Sequence, residues 1–372
     1  MGIRIGRVFG IPIEIDVSWL FVFGLFTYSV SQGHFARYYP DLPQTSVFAL
    51  GIVTTLLFFA SLVAHELSHS YFARKSGIPI AGITLFIFGG VARMKGEPAK
   101  PKDELVMALA GPIFSLAVAV ATLFISAIIQ FETISSVFRY IAYANFAVAV
   151  FNMIPGFPLD GGRVLRAIIW SISGNLRMAT QVATISGQVF AWALIGLGLS
   201  SVLLTGSFGG IWFILIGWFL NNAAQTSYKQ LLIRRALEGV EVSDVMSPMD
   251  RLVAPDISVD DLVHQHFLRT HADSYPVSGP GGVQAIVRLE DVRALPRDKW
   301  LTTSVLEIAH PITSECTIGS EENAWEAANK LTDGCPTKVV VYNDGRVVGM
   351  VGQEDLARLL RTRSQLEMDE AA

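Results

Sequence analysis

Residues Val47–Gly77 read "VFALGIVTTLLFFASLVAHELSHSYFARKSG", and the eighteen residues before His65 carry no charge. A bilayer crossing needs about twenty apolar residues, so this run has nearly the required length before its first ionisable side chain. Arg74 and Lys75 mark its polar end. On an ideal helix His65 would lie roughly 13 Å inside that end. Short His and Glu side chains do not snorkel over such a distance, and ionisable groups at that depth point to function.

His65-Glu66-Leu67-Ser68-His69 is an H-E-x-x-H pattern. Residues four apart share one helix face, so both imidazoles can reach one ion. A catalytic zinc ion takes three protein ligands and keeps one position open, which leaves two histidines incomplete. The third donor is expected from another polar break in an apolar run. "NFAVAVFNMIPGFPLDGGRVL", residues 145–165, supplies one: Pro155, Gly156 and Pro158 unwind the helix, which is tolerable only where the freed backbone lines a cavity. Asp160 follows this break and offers an oxygen donor if the two helices are neighbours. The alternative is a helix N-cap leading into "GGRVLRAIIW". At such a site zinc supplies Lewis acidity, while Glu66, not itself a ligand, accepts a proton and delivers it to the leaving amine. The expected reaction is hydrolysis of a peptide bond.

Composition extends this reading to the whole chain. Of 372 residues 51% are hydrophobic and 16% charged, and the mean hydropathy of +0.46 lies on the membrane side of the soluble norm. The apolar runs end near Tyr228, and charged residues dominate from Lys229 onward. The expectation is a multi-pass α-helical membrane protein of about six transmembrane helices. These would be Val17 to Phe35, Val47 to Ala73, Leu105 to Ile129, Val137 to Ile154, Ala179 to Leu204 and Phe208 to Tyr228.

Six spans place both termini on one side. With the termini cytosolic, Arg4, Arg7, Arg74, Lys75, Arg93, Lys95, Lys100, Lys102, Arg163, Arg166, Arg177, Lys229, Arg234 and Arg235 face inward, and only Arg37 and Arg139 face outward. A cell-membrane location with cytosolic termini follows. The first twenty residues show no small-residue cleavage site, so a removable signal peptide is not expected. A net charge of -4 without a basic block argues against nucleic acid as a partner.

Two apolar stretches are too short and too punctuated to cross. "IRIGRVFGIPIEI" (3–15) and "GITLFIFGGVARM" (82–94) read as short membrane-associated β segments at the cytosolic face. Their edges cannot face lipid, so they should pair with each other or line a protein cavity. A helical substrate hides its carbonyls in its own hydrogen bonds, and the second segment could capture it in extended form by strand addition. Prolines along residues 83 to 88 would then block cleavage. Glu14 and Asp16 need no catalytic role here, and His34 falls in an outside loop.

Beyond a charged linker, residues 229–241, the chain repeats itself weakly. Residues 242–303 and 304–363 each run as a turn, an amphipathic helix, a strand, a Gly-containing hairpin, a strand ending in Glu-Asp and a helix, which should pack as one α/β module. Residues 364–372 read as an acidic, disordered tail. Cys316 and Cys335 read as free thiols in a reducing compartment. His264, His266 and His271 read as part of a solvated face.

Taken together, these features resemble the site-2 proteases, intramembrane zinc metalloproteases. The resemblance rests on His65-Glu66-x-x-His69 in a transmembrane helix, on Asn152-x-x-Pro155 followed by Leu159-Asp160-Gly161 in a later one, and on "FGGVARM" between them. Six spans followed by paired modules resemble the subgroup with two cystathionine-β-synthase (CBS) domains. The resemblance implies His65, His69 and Asp160 as ligands of one Zn2+, Glu66 as the catalytic residue and Asn152 as a polar residue that helps hold the substrate. It also implies a membrane-protein substrate cut within regulated intramembrane proteolysis, often releasing a regulator. Ser68 departs from the usual Gly before the second histidine.

For a CBS pair the resemblance implies an adenine nucleotide, met by a Gly-hydrophobic-x-Thr/Ser-x-x-Asp run. Here "AIVRLED" ends at Asp291 and "GMVGQED" at Asp355, with Arg288 and Gly352 at the hydroxyl positions. A nucleotide site and a dimerising or docking module both stay open, and pairing of such modules suggests a homodimer. The rival for the whole chain is a CBS-regulated transporter or channel with an ion at the His/Asp cluster. That rival expects polar residues spread over several spans, whereas here they concentrate in two.

Overall fold

Alternating residues at the N-terminus form a hairpin of β1 (Ile3–Val8) and β2 (Ile11–Ile15), turned at Phe9 and Gly10, both at positive φ. A second hairpin, β3 (Ile80–Phe86) and β4 (Gly89–Met94), joins it in one sheet of order β1-β2-β3-β4. The two apolar segments do pair with each other: β2 runs parallel to β3 with Ile13 opposite Ile83 and Ile15 opposite Leu85. β3 is therefore an interior strand, and the open edge of this hairpin is β4. Residues 83 to 86 are consequently not where a substrate strand could add. Residue 88 lies outside the described residues, which in this computed structural model are 3–370 except 88, 95, 208, 249–251, 270–271, 280–281, 314–315, 334 and 336–337.

Apart from this sheet, the first of two compact units, Met1–Lys229, is built of helices, the last of which runs past its end. They are α1 (Val17–Val30), running through a π-helical turn (Ser31–Phe35) into α2 (Ala36–Tyr38), then α3 (Gln44–Lys75), α4 (Pro101–Ile128), α5 (Glu132–Asn152), α6 (Asp160–Ser173), α7 (Leu176–Thr205) and α8 (Gly209–Leu237). Asp16 starts α1 by accepting the Ser18 N–H at 2.9 Å, and Glu14 accepts from Arg93 across the sheet at 2.7 Å, so both have structural roles. Trp19, Phe59 and Leu85 form a buried cluster that docks the sheet on α1 and α3.

Among the described residues, α3, α4, α5 and α7 are long and apolar enough to cross a membrane, four helices rather than the six expected. The two shortfalls have visible causes. α1 has only 14 residues before the π-turn, and the amides Asn221, Asn222 and Gln225 interrupt the apolar part of α8. Outward faces of the long helices are apolar, as at Val120, Leu123 and Phe124 of α4, which suits lipid rather than water. His34 lies in the π-turn rather than a loop, with Nε2 2.9 Å from Ser136 Oγ.

The second unit, Gln230–Ala372, has two sheets. Its elements are α9 (Val242–Val245), β5 (Ser247–Pro248), α10 (Val259–Gln265), β6 (Ser274–Gly279), β7 (Gly282–Arg288), α11 (Leu289–Ala294), α12 (Val305–Ile308), β8 (His310–Pro311), β9 (Thr317–Gly319), α13 (Ala324–Asp333), β10 (Lys338–Asn343), β11 (Arg346–Gly352) and α14 (Gln353–Glu370). Helix, strand, strand, helix occurs twice, as α10-β6-β7-α11 and α13-β10-β11-α14, each around its own core.

Several expectations change here. α8 continues to Leu237 and α14 to Glu370, so most of the linker and of the acidic tail is helical: their charged residues end the apolar pattern without breaking the helix. Cys316 and Cys335 are not free but form a disulfide, because the end of α13 returns to the start of β9 and brings their Cα atoms to 5.5 Å. His264 is exposed, as a solvated face requires, but His266 is partly buried with its ring 5.2 Å from that of Tyr275. His271 lies outside the described residues.

Candidate metal centre

α3 brings His65 and His69 to the same side, one turn apart, and both are buried. Asp160 is the first residue of α6, after the broken segment that follows α5. The helix N-cap is Leu159, without a side-chain cap, so the Asp160 carboxylate turns to α3 instead. Its Oδ2 lies 3.3 Å from His65 Nε2 and 3.2 Å from His69 Nε2, and the two Nε2 atoms are 3.2 Å apart. Four ligands on tetrahedral zinc at ~2.0–2.1 Å stand about 3.3–3.4 Å from one another, so this near-equilateral triangle has the dimensions of one face of a zinc site.

Hydrogen bonding on the far side of each ring supports the same fit. His69 Nδ1 is 2.7 Å from the carbonyl oxygen of Met107, which only accepts, so Nδ1 carries a proton. A neutral His69 then presents its Nε2 lone pair to a carboxylate oxygen. Two acceptors face each other, and a cation between them resolves the conflict. His65 Nδ1 is held at 2.9 Å by Ser115 Oγ. Such partners set the tautomer and orientation of ligating imidazoles.

Sequence reasoning missed these partners. Met107, Gly111 and Ser115 recur every four residues along α4, and a Cβ built on Gly111 would stand 2.2 Å from His69 Nε2 and 2.4 Å from His65 Nε2. Only a glycine lets α4 pass this close. The four-residue spacing in "MALAGPIFS" signals a single helix face, but nothing in it says that the face meets α3. Glu66, adjacent to His65, lies under the sheet: a Cβ on Gly90 of β4 would be 2.8 Å from Glu66 Cγ. Asn152 is half-buried at the end of α5 and is not among the three residues whose donor atoms cluster within 4.8 Å.

In the second unit the two aspartates singled out from the sequence are already occupied. Asp291 accepts from Arg288 Nε at 3.1 Å, Nη2 at 2.8 Å and the Arg288 backbone N–H at 3.0 Å, with His310 Nε2 at 3.0 Å. Burial pushes the Asp291 carboxyl up, but the bonds from Arg288 and His310 outweigh it and hold the group below its ordinary value of 3.8. Asp355, buried, accepts from Ser247 Oγ at 2.7 Å and from the Gly352 N–H at 2.9 Å.

Comparison with known proteins gives the family. The model of Peptidase family M50 matches residues 53–134 and 126–196, and that of the CBS domain matches residues 305–362. A Synechocystis sp. protein named as a zinc metalloprotease, sll0528, is 32% identical over 97% of this chain and 96% of its own length. Rip3 of Mycobacterium tuberculosis, also named as a zinc metalloprotease, is 32% identical over 96% of this chain and 92% of its own. Zinc metalloprotease MJ0392 of Methanocaldococcus jannaschii is 28% identical over 99% of this chain and 98% of its own. With the His65-Glu66-x-x-His69 motif beside Asp160 and relatives of this identity over nearly the full length, the chain belongs to Peptidase family M50, as a metalloendopeptidase of the site-2 protease type.

Proposed function

We propose that the protein is a zinc-dependent intramembrane endopeptidase that hydrolyses peptide bonds in or near transmembrane segments of membrane-bound substrates. The observation that carries this is the triangle of His65 Nε2, His69 Nε2 and Asp160 Oδ2, buried in a unit whose outward faces are apolar. His65, His69 and Asp160 would hold one Zn2+, which supplies Lewis acidity toward the scissile carbonyl and toward water. Glu66 takes the proton released as water attacks and passes it to the leaving amine, so the carboxylate ends as it began. Ser115 and the Met107 carbonyl keep both imidazoles turned inward throughout.

Substrate presentation belongs to β4. As the open edge beside β3 it has main-chain groups to offer an extended segment, and at Gly90 it passes against Glu66, so a strand added there is carried toward the catalytic residue. Asn152, at the end of the helix that precedes Asp160, is proposed to help hold the same segment. The unbroken helical run Val17–Tyr38 and the apolar part of α8 would supply two further crossings, which set both termini on the cytosolic side of the cell membrane. For the CBS region we favour a dimerising or substrate-docking role over an adenine-nucleotide site, because Asp291 and Asp355 are spent on internal hydrogen bonds.

The test is cleavage of a tagged membrane substrate by purified protein, with zinc measured on the same samples. Glu66→Gln should abolish cleavage and retain zinc, and prolines across residues 89–94 should suppress cleavage with zinc retained. Equal cleavage by wild type and Glu66→Gln would sink the mechanism; unimpaired cleavage by the proline variants would remove β4 from it.

A further inference from the structure

α6 carries a buried ionisable residue that the chemistry above does not use. Arg166 is 4% exposed, although from the sequence it reads as a cytosolic loop cation. Its Nε donates to Glu104 Oε1 at 2.6 Å, its Nη2 pairs with the same oxygen, and its Nη1 reaches Glu97 Oε1 at 3.4 Å. Glu104, on α4, is 0% exposed. The guanidinium also stacks over Phe157, 5.2 Å from the ring centroid, and Phe157 belongs to the broken segment just before Asp160. A buried charge pair of this kind is costly to leave incomplete, so it fixes the relative position of whatever elements carry it.

Those elements are the ones that matter to the metal centre. α4 already holds His65 through Ser115 and His69 through the Met107 carbonyl. Glu104 stands one turn before Met107 on that helix. Arg166 stands six residues after Asp160, ~9 Å along α6. We propose that Glu104 and Arg166 are positioning residues: their ion pair clamps α6 and the preceding turn onto α4, so that the Asp160 carboxylate is held at the histidines that α4 also orients. One helix then sets the placement of all three metal-binding side chains. Arg suits this role better than Lys, since its planar fork fixes direction as well as charge.

The inference rests on the zinc site proposed above, and the experiment separates the two. Zinc affinity is measured by chelator competition on the full-length protein in detergent for wild type, Glu104→Gln, Arg166→Lys, Asp160→Asn and the combinations of the first two with Asp160→Asn. Glu104→Gln and Arg166→Lys should each weaken zinc binding by about 10–100-fold in the wild-type background, the range seen when support of a ligand is lost. In the Asp160→Asn background neither should weaken it further, because the clamp acts through that carboxylate. A general loss of packing would lower affinity equally in both backgrounds, and that result would overturn the proposal, as would unchanged affinity in the single variants. Should Glu104→Gln fail to fold, Arg166→Lys, which keeps the buried charge, carries the same cycle. If Asp160→Asn itself binds zinc as wild type does, the zinc-site reading falls first, and the clamp with it.

Discussion

Asp160 in the membrane unit and Asp291 in the second unit are both carboxylates at or near a helix start, yet their surroundings differ in kind. Asp291 is met by donors: two guanidinium N–H groups, a backbone N–H and a histidine. Asp160 is met by two imidazole nitrogens, and when His69 is neutral its single proton is committed to the Met107 carbonyl, so acceptor faces acceptor. The first arrangement is complete in itself. The second is reconciled by a cation. Donor–acceptor accounting thus separates a carboxylate that builds a fold from one placed where a cation could be held, even though both are acids in similar sequence settings.

Three substitutions bear on this contrast, the most damaging first. Gly111→Ala would place a Cβ within 2.2 and 2.4 Å of the two Nε2 atoms, and the rings cannot retreat without giving up Ser115 and the Met107 carbonyl. Zinc affinity should fall ~100-fold or more, with cleavage lost in parallel; chelator competition reads it, and wild-type affinity would mean the rings are not seated as described. Ser115→Ala removes only the partner of His65 Nδ1, and zinc affinity should fall about 10-fold. Equal cobalt-loaded spectra and equal affinity in this variant would show that the serine leaves His65 alone.

Smallest is the effect at Asp291. Its folded carboxyl is held below 3.8, so its stabilisation is fully present above that value and is lost as pH falls through the depressed one. Asp291→Asn should lower the Tm at pH 7 by about 2–4 °C, the size expected for roughly 1 kcal/mol in a domain of this length. The gap between variant and wild type should close as pH falls below 3.8. A gap that widened on acidification would contradict the assignment of Arg288 and His310 as partners of the ionised form.

The clustering of His65, His69 and Asp160 was legible because polar residues in an apolar run have no cheaper explanation, and the break before Asp160 advertised itself through Pro155, Gly156 and Pro158. The supporting face of α4 was not. Gly111 and Ser115 look like ordinary small residues of a membrane helix, and their meaning depends on which neighbour packs there. Arg166 was misplaced for a related reason: a cation near the end of an apolar run reads as a loop residue until its buried partner, Glu104, is seen. Pairing of the two β segments followed from the need to satisfy their backbones, whereas the sheet order, which makes β4 the edge, did not. Nor could the chain's spacing alone reveal the bond between Cys316 and Cys335.

The separation of the metal-binding side chains along the chain has a further consequence for biosynthesis. His65 and Asp160 meet across 95 residues, and α4, between them in sequence, must be in place to receive both. A nascent chain that has inserted α3 carries the whole H-E-x-x-H motif but no third donor and no seat for the rings. On the proposed assignment the metal-binding set is therefore incomplete while α3 and α4 are being made, and is completed only when α6 joins them.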